Sequence, residues 1–520
     1  YALNTTYFLN SIDWDDDPED YPLKYVISAF NENPNKENIL KSSTDVPYVS
    51  TLIAQGVEAL SFKVTCRAIV TDIYNSEGSS NTTVIVNPLP ASDLSSTASN
   101  LLSTALLSYD ADAVLTIANS AAEALNTANC TLAPDCATLN RLPCKLSAHS
   151  CGACESGGYI GTPGDSNDPC YLLTEIKGIE ESCTADSMCL TGACINGSCM
   201  YKVKECSANC SYNGECKYWN LDGTEWPTER CTTGDLNCIA ECSCKDNYYG
   251  KDCRLNSDEY AASLSLRETM CIGMFESMSV QDTSSDVVFN RARVVADLVT
   301  DPALISTVAL YNCTAVLTTT VFEFDDLLAS FSVSAAVLEA LSNILALGDS
   351  LPVALRNDVS DAISIIVFSR QDSLATGSEA STSVTSNIRL ITSKNYGDDI
   401  NNSTLTTPST DYENAIGTAN TSSASFHSDS YVSTGSYGSS IITSSSGFSG
   451  NTSNATTAQP VQIETTAYNS DRRRLSSGSQ TIVVTLPTYK EVSYVGANVT
   501  AGTVFCSLTD SGAPYKTAVF

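Results

Sequence analysis

Eighteen of the 22 cysteines lie between Cys130 and Cys253, and this cluster constrains the fold more than any other feature of the 520-residue sequence. Such a cluster forms either zinc sites or disulfides. Zinc modules need Cys or His pairs at close spacing, two pairs for each ion, and only Cys151 and Cys154, beside His149, have the C-x2-C spacing. Disulfides are the stronger interpretation because the sequence has just two histidines. We therefore expect a disulfide-rich block between larger domains.

Asn-x-Ser/Thr sequons indicate the compartment. A chain rich in Ser and Thr contains some by chance, but twelve of them beside a cysteine cluster are typical of a secretory-pathway glycoprotein. We expect an extracellular or cell-surface location and N-linked glycans at these sites. The sequon asparagines are Asn4, Asn81, Asn129, Asn196, Asn209, Asn312, Asn401, Asn402, Asn420, Asn451, Asn454 and Asn498.

The charge balance limits the partners. Lys and Arg total 27 against 59 Asp and Glu, and the net charge of -32 repels nucleic acid and anionic lipid. No run of about 18 apolar residues occurs, so we expect no membrane span in this chain. The first residue is Tyr1 rather than Met, which suggests a mature or excised piece. The expected partners are other copies of the chain or other extracellular proteins.

Residues 1–90 show the alternation of half-buried strands. In SFKVTCRAIV, Val64, Cys66 and Val70 share one face. Residues 91–128 change to a helical period and predict a hairpin of two helices, with Ser92 or Asp93 as N-cap. The combination of WDDDPEDYPLKY with VTDIY is similar to the immunoglobulin-like β-repeats of PKD and REJ (receptor for egg jelly) regions. That resemblance implies a β-sandwich followed by helices.

The end of the cysteine block resembles an EGF-like module. The spacing is C-x3-C-x5-C in CSANCSYNGEC and C-x-C-x8-C in CSCKDNYYGKDC. The resemblance assigns residues 204–256 to this module and implies a first-third, second-fourth, fifth-sixth pairing. The implied pairs are Cys206 with Cys216, Cys210 with Cys242, and Cys244 with Cys253. The enlarged middle loop departs from the family's short loop, and we expect its two cysteines, Cys231 and Cys238, to pair with each other. Residues 129–203 form a separate cysteine-rich module that resembles repeats accompanying REJ regions in large protist surface proteins.

The rest of the chain is expected to hold a helical bundle over 257–350 and a Ser/Thr-rich β-domain over 351–520. Asp301 as N-cap with Pro302, and Gly348 as C-cap, mark helix ends. Because 27 of residues 401–460 are Ser or Thr, composition alone would suggest a stalk. We nevertheless favour a β-domain with strands such as YVSTG, SIITS, VQIETTAY and TIVVTLPTY. A helical bundle before a β-sandwich resembles GAIN domains, although their autoproteolytic Cys and Trp pattern is absent.

Few residues suggest chemistry. The acidic loop residues Asp13, Asp15, Asp16 and Asp17, in a run that also contains Glu19 and Asp20, could chelate calcium, or could form a solvated loop. DRRRLSSG, with Arg472–Arg474, could be a protease site or a basic turn. Neither His149 nor His427 lies near a nucleophile motif, so we expect no enzyme and no cofactor beyond glycans and possible calcium.

Four cysteines lie outside the cluster. Cys66, Cys271, Cys313 and Cys506 are either small core residues or long-range bridges. Cys271 and Cys313 are the pair that we expect to bond with each other.

Taken together, the sequence predicts a multi-domain α+β protein. Its parts are an Ig-like β-sandwich, a disulfide-rich block containing the EGF-like module, a helical bundle and a C-terminal β-sandwich. The predicted function is non-enzymatic and structural or adhesive, as a subunit of a surface filament such as a flagellar hair (mastigoneme) or matrix fibre. The alternative is the ectodomain of a polycystin-1-like or adhesion-type sensory receptor.

Overall fold

The computed structural model describes residues 1–419 apart from seven short segments, and beyond residue 419 it describes the backbone of strands only. The seven segments are 32–36, 221–223, 228–229, 236, 282, 349–350 and 397–403. Contacts divide the chain into two units. The first comprises residues 1–218, 227–233 and 240–317, and the second comprises 219–226, 234–239 and 318–520.

The first unit begins with two antiparallel sheets around one hydrophobic core. The larger sheet has the order β3-β2-β5-β6, and the smaller one pairs β1 with β4. Ala29, Leu40, Val64 and Cys66 of the larger sheet are buried in the core, and Leu9 of β1 packs against them. The strands are β1 Tyr7–Asn10, β2 Lys24–Phe30, β3 Asn38–Thr44, β4 Tyr48–Thr51, β5 Lys63–Thr71 and β6 Glu77–Ile85.

A helical hairpin follows, formed by α1 Ala91–Leu107 and α2 Ala111–Asn126. The N-cap of α1 is Pro90, so the prediction of Ser92 or Asp93 as N-cap is wrong. Proline sets a backbone conformation that suits the residue before a helix, and the two polar residues fall within the first turn. Most residues of α2 are buried, and the helix contacts α1, α3 Ser257–Ser277, α4 Ser285–Leu298 and β3.

The cysteine block contains little regular structure. Its strands form two-stranded ladders, most of them two residues long, so main-chain pairing contributes little to its stability. The strands are β7 Tyr159–Ile160, β8 Tyr171–Leu172, β9 Cys194–Ile195, β10 Ser198–Cys199, β11 Gly214–Asn220, β12 Cys238–Cys244, β13 Tyr248–Tyr249 and β14 Leu255–Asn256.

Helices dominate from Ser257 to Ser373. Asp301 and Pro302 begin only a short 3-10 turn, Pro302–Leu304, and the next long helix starts at Thr307, later than predicted. Beyond the boundary predicted at residue 350 lies a further helix, whose buried residues recur every three or four positions. The helices that follow α4 are α5 Thr307–Glu323, α6 Phe331–Leu345 and α7 Val353–Ser373.

In the second unit, buried Arg370 ties α7 to its neighbours. Its guanidinium group donates from Nε to Ser334 Oγ of α6 (2.7 Å) and from Nη1 to Ser383 Oγ (2.6 Å), and it lies 4.8 Å from the ring centre of Phe331. Burial lowers the pKa of Arg370 to about 10.

The C-terminal part contains two four-stranded antiparallel sheets, with orders β15-β16-β19-β21 and β17-β18-β22-β25. Predicted SIITS lies within β19, VQIETTAY overlaps β20 and β21, and TIVVTLPTY begins in β22, whereas YVSTG lies outside the described residues. The elements are β15 Ser381–Val384, β16 Ile388–Tyr396, β17 Thr404–Thr406, α8 Asp411–Ile416, β18 Ser423–His427, β19 Ser436–Ser444, β20 Gln462–Ile463, β21 Tyr468–Asn469, β22 Gln480–Thr485, β23 Val492–Tyr494, β24 Ala497–Val499, β25 Thr503–Leu508 and β26 Ala518–Val519.

Candidate interaction surface

Disulfides define the central modules. The structure joins Cys206 to Cys216, Cys210 to Cys242 and Cys244 to Cys253, which are the pairs that the EGF-like spacing implies. Cys231 and Cys238 are each disulfide-bonded as well. In the described part of residues 129–203, the bridges fall into two groups, one within 130–170 and one within 183–199. They are Cys130–Cys144, Cys136–Cys151, Cys154–Cys170, Cys183–Cys194 and Cys189–Cys199.

This pairing bears on the zinc alternative. Cys151 and Cys154 both belong to disulfides, and a disulfide sulfur is not the thiolate that zinc requires. The third candidate, His149, accepts a hydrogen bond at Nδ1 from the Leu132 N–H (3.3 Å). The zinc interpretation of these residues is therefore wrong.

Two of the remaining cysteines form the bridge that the sequence suggested. Cys271 of α3 is bonded to Cys313 of α5. Cys66 is a free thiol and is buried in the N-terminal core. Burial raises the pKa of Cys66 to about 11, so the thiol stays protonated and weakly nucleophilic at neutral pH. Cys506 lies in β25, where only the backbone is described.

Arg141 organises the module within 130–170. Its guanidinium is 1% exposed and donates four hydrogen bonds to main-chain carbonyls. The acceptors are Gly152 O (2.9 Å), Gly164 O (3.0 Å), Thr162 O (2.9 Å) and Asp168 O. One planar group thereby replaces much of the sheet pairing that this module lacks. Sequence reasoning missed this residue because a single arginine carries no pattern.

The acidic loop after β1 contains the four predicted calcium ligands, Asp13, Asp15, Asp16 and Asp17. Among them, the structure brings Asp16 into a cluster with Asp20 and Asp72, within 4.8 Å of one another, and leaves the other three outside it. Calcium binding stays a prediction.

Asp72 already has hydrogen-bond partners in this cluster. Its Oδ1 accepts from the Tyr74 N–H (2.7 Å) and the Ser76 N–H (2.8 Å) in the β5–β6 turn. Partial desolvation, together with the charges of Asp16, Asp72 and Asp17, raises the pKa of Asp20. The cluster is therefore a concentration of negative charge at the end of the β5–β6 hairpin.

A cleft of about 380 Å³ lies beside this loop, between the segment that follows β1 and strand β6. The lining includes Ile27, Cys66 and Ala68 of the larger sheet, and Ser80 and Thr82 of β6. Ala68 pairs with Ser80 and Cys66 with Thr82 across the β5–β6 ladder, so these four side chains share one face of the sheet. The volume is within the range of ligand pockets.

Trp14 forms a side wall of the cleft. Its Nε1 donates a hydrogen bond to Ser11 Oγ (2.7 Å), which fixes the plane of the indole. The ring lies against Gly78 so closely that a Cβ there would come within 2.8 Å of it. Gly78 thus permits the acidic loop to lie against β6. The WDDD motif contains both the indole and the adjacent charges, and it was the available signal for this surface.

The predicted glycosylation sites differ in exposure, and some lie outside the described residues. Asn4, Asn81, Asn129, Asn196 and Asn209 are exposed. Asn312 is half-buried on α5, and its Nδ2 donates to Val308 O (2.9 Å). The side chain of Asn498, in β24, is not described, and the remaining five asparagines and Arg472–Arg474 lie outside the described residues.

A family model for the REJ domain matches residues 1–120, which contain both N-terminal sheets, α1 and part of α2. The N-terminal module is therefore a REJ-type module followed by a disulfide-rich region, and the REJ part of the resemblance is confirmed. No curated protein matches the sequence. Within the described residues, none of the helices has the length and apolarity needed to cross a bilayer.

Proposed function

We propose that the chain is a non-enzymatic, N-glycosylated extracellular protein with a structural or adhesive role, acting through contacts with other copies or with other extracellular proteins. The observation that carries this proposal is the succession of a REJ-type β-module and small disulfide-closed modules within one polypeptide. Small modules of this kind obtain from disulfides the stability that a limited core cannot supply, and oxidised cysteines persist outside the cytosol.

The absence of enzymatic activity is part of the same proposal. His149 holds a backbone amide rather than a hydroxyl or thiol nucleophile. The free thiol of Cys66 is buried, and its raised pKa disfavours the thiolate. EGF-like identity for residues 204–256 is supported by the three disulfides at the matching cysteines.

Two settings fit this function. In the first, the chain is a subunit of a surface filament such as a flagellar hair (mastigoneme) or matrix fibre. In the second, it is the ectodomain of a polycystin-1-like or adhesion-type sensory receptor, and the REJ match over residues 1–120 specifically favours this setting.

Negative-stain electron microscopy of the native material separates the two settings. Fibres with a repeat that fits one subunit would support the filament. Isolated particles, or particles attached to a membrane protein, would support the receptor. If neither glycans on the secreted chain nor any protein partner were found, the proposed function would be wrong.

Chemical treatment tests the role of the disulfides. We expect a chelator to leave the circular dichroism spectrum unchanged, because sulfur–sulfur bonds rather than metal hold the modules. Reduction should unfold residues 130–253, which limited proteolysis would detect. Loss of structure with the chelator alone would contradict the disulfide framework.

A further inference from the structure

Strand β6 has an open edge. It is the last strand in the order β3-β2-β5-β6, and in the described part of the chain it pairs with β5 alone. Residues 79–83 at its centre are exposed. An exposed edge strand presents unpaired main-chain N–H and C=O groups that an extended peptide can complete as an added strand.

The cleft described above lies directly beside this edge. Ser80 and Thr82 of β6 line it, the ring of Trp14 lies against Gly78 of the same strand, and Ile27 and Ala68 contribute apolar surface. Main-chain pairing of this kind gives affinity, and a pocket for an alternate side chain gives specificity. The combination of edge and pocket therefore fits an extended segment that inserts one aliphatic side chain.

Asn81, a predicted glycosylation site, and its neighbour Arg67 also line this cleft. Asn81 pairs with Arg67 across the ladder, and Arg67 Nε donates to Asn81 Oδ1 (3.4 Å). Successive side chains of a strand alternate between faces, so Asn81 projects from the face opposite to Ser80 and Thr82. A glycan at Asn81 would project from that opposite face.

The charge beside the cleft indicates a second property of the extended segment that would bind there. The wall of the cleft continues from Trp14 into the acidic loop, where Asp15, Asp16, Asp17 and Glu19 are exposed. A concentration of carboxylates attracts arginine, whose guanidinium also stacks on an indole. The occupant should thus carry basic residues next to its aliphatic anchor.

We propose that this cleft binds a basic, extended segment of a second copy of the chain, with Arg472–Arg474 facing the acidic loop and Leu475 inserted above Ala68. The sequence DRRRLSS places three consecutive arginines directly before a leucine in a chain of net charge -32. Basic charge and an adjacent aliphatic side chain are the two properties that the cleft requires. This inference rests on the proposed function and names a contact through which copies associate.

The experiment measures binding of a fluorescent peptide with the sequence of residues 469–478, NSDRRRLSSG. The receptor is the full chain carrying Arg472→Gln, Arg473→Gln and Arg474→Gln, so that its own segment does not compete. We expect saturable fluorescence anisotropy that weakens as salt is raised from about 50 to about 300 mM, because exposed charges are screened. Replacing leucine by aspartate in the peptide should weaken binding by about tenfold or more, because the anchor would be lost.

Two neighbouring residues of β5 supply a matched pair of receptor variants. Ala68→Phe fills the cleft and should reduce affinity by about tenfold or more, whereas Ile69→Phe, which changes the opposite face of the same strand, should leave it within about twofold. A receptor with Asp15→Lys and Asp17→Lys, both exposed, tests the charge without disturbing the core and should also bind weakly.

Equal binding to the Ala68→Phe and Ile69→Phe receptors would overturn the proposal, as would equal binding of the leucine and aspartate peptides. Absence of binding at about 1 mM peptide would do the same, since that affinity is too weak for specific association. The outcome is separable from the proposed function. If the peptide binds but micrographs show isolated particles, the proposed binding cleft is supported and the filament setting is rejected. If micrographs show fibres but the peptide does not bind, the filament setting is supported and the proposed binding cleft is rejected.

Discussion

Replacing Arg141 by methionine should destabilise the module within residues 130–170 and leave the other modules intact. The side chain is 1% exposed, and its guanidinium holds four carbonyl oxygens from separate points of the chain. Methionine fills most of the same space but donates no hydrogen bond. The buried Gly152 carbonyl and the three partly buried ones would then lose the donor that satisfies them.

The magnitude follows from two opposing contributions. Four hydrogen bonds from a charged donor contribute about 1.5–3 kcal/mol each, or a gross of about 6–12 kcal/mol. The desolvation of a buried guanidinium costs several kcal/mol, and methionine avoids that cost. We therefore expect a net loss of about 3–5 kcal/mol in the local free energy of unfolding. Arg141→Lys should lose nearly as much, because an ammonium group cannot span the same four acceptors.

Hydrogen exchange with mass spectrometry is the appropriate assay because it reports local opening in a chain of several modules. Since about 1.4 kcal/mol corresponds to tenfold, amides within 130–170 should exchange about 10²- to 10⁴-fold faster. Lys251→Met, at an exposed lysine, is the control and should change exchange little. Exchange within about threefold of the parent in Arg141→Met would refute the reasoning, because the carbonyl contacts would then contribute no net stability.

Three further changes have defined outcomes. Ala208→Gly should stabilise the loop around Cys206 by about 0.5–1 kcal/mol. Ala208 has a left-handed backbone (φ 49°) that costs alanine about 1–2 kcal/mol, and the greater freedom of glycine in the unfolded chain cancels part of the gain from removing that cost. Slower hydrogen exchange in this loop would support the prediction, and faster exchange would contradict it. Replacing both Cys271 and Cys313 by alanine removes a disulfide with a sequence separation of 42 and should lower the free energy of unfolding by about 4 kcal/mol. The loss should be measurable as a lower urea midpoint for unfolding of the helices, and an unchanged midpoint would show that the disulfide does not stabilise them. Cys66, with its pKa raised to about 11, should resist maleimide at pH 8 in the folded chain and react after unfolding, and rapid labelling of the folded chain would contradict its burial. The stability that this thiol contributes should be lost as pH rises from about 9 towards 11, because the thiol of the unfolded chain ionises first.

Local sequence patterns predicted much of the fold. The alternation in β5 placed Val64, Cys66 and Val70 on one face, and all three are buried. The EGF-like spacing implied bridges that the structure contains, because most close loops of about ten residues and so depend on local sequence. Mixed α+β architecture with several small sheets also agrees with the expectation.

Helix ends were harder to predict because several residues compete for each cap. Ser92 and Asp93 have the side chains of good N-caps, yet Pro90 is the N-cap and the helix starts at Ala91. Asp301 does cap a turn, with its Oδ1 accepting from the Ala303 N–H (3.0 Å), but that turn is only three residues long. Helix α7 escaped prediction because polar residues between its buried positions resemble the Ser/Thr-rich sequence that follows.

The cleft could not be predicted from periodicity because no continuous segment contains it. Its lining comes from β1 and the segment after it, from β2, from β5 and from β6, and the last three meet because β5 lies between β2 and β6 in the sheet. Within β5, the alternation marks Ala68 as another inward position beside Val64, Cys66 and Val70, and a sequence analysis treats it as core. Alanine is smaller than Cys66 and Val70, which flank it on this face, so its position leaves room next to the edge strand. Residue size within a correct pattern, rather than the pattern itself, separates a filled core from a binding cleft here.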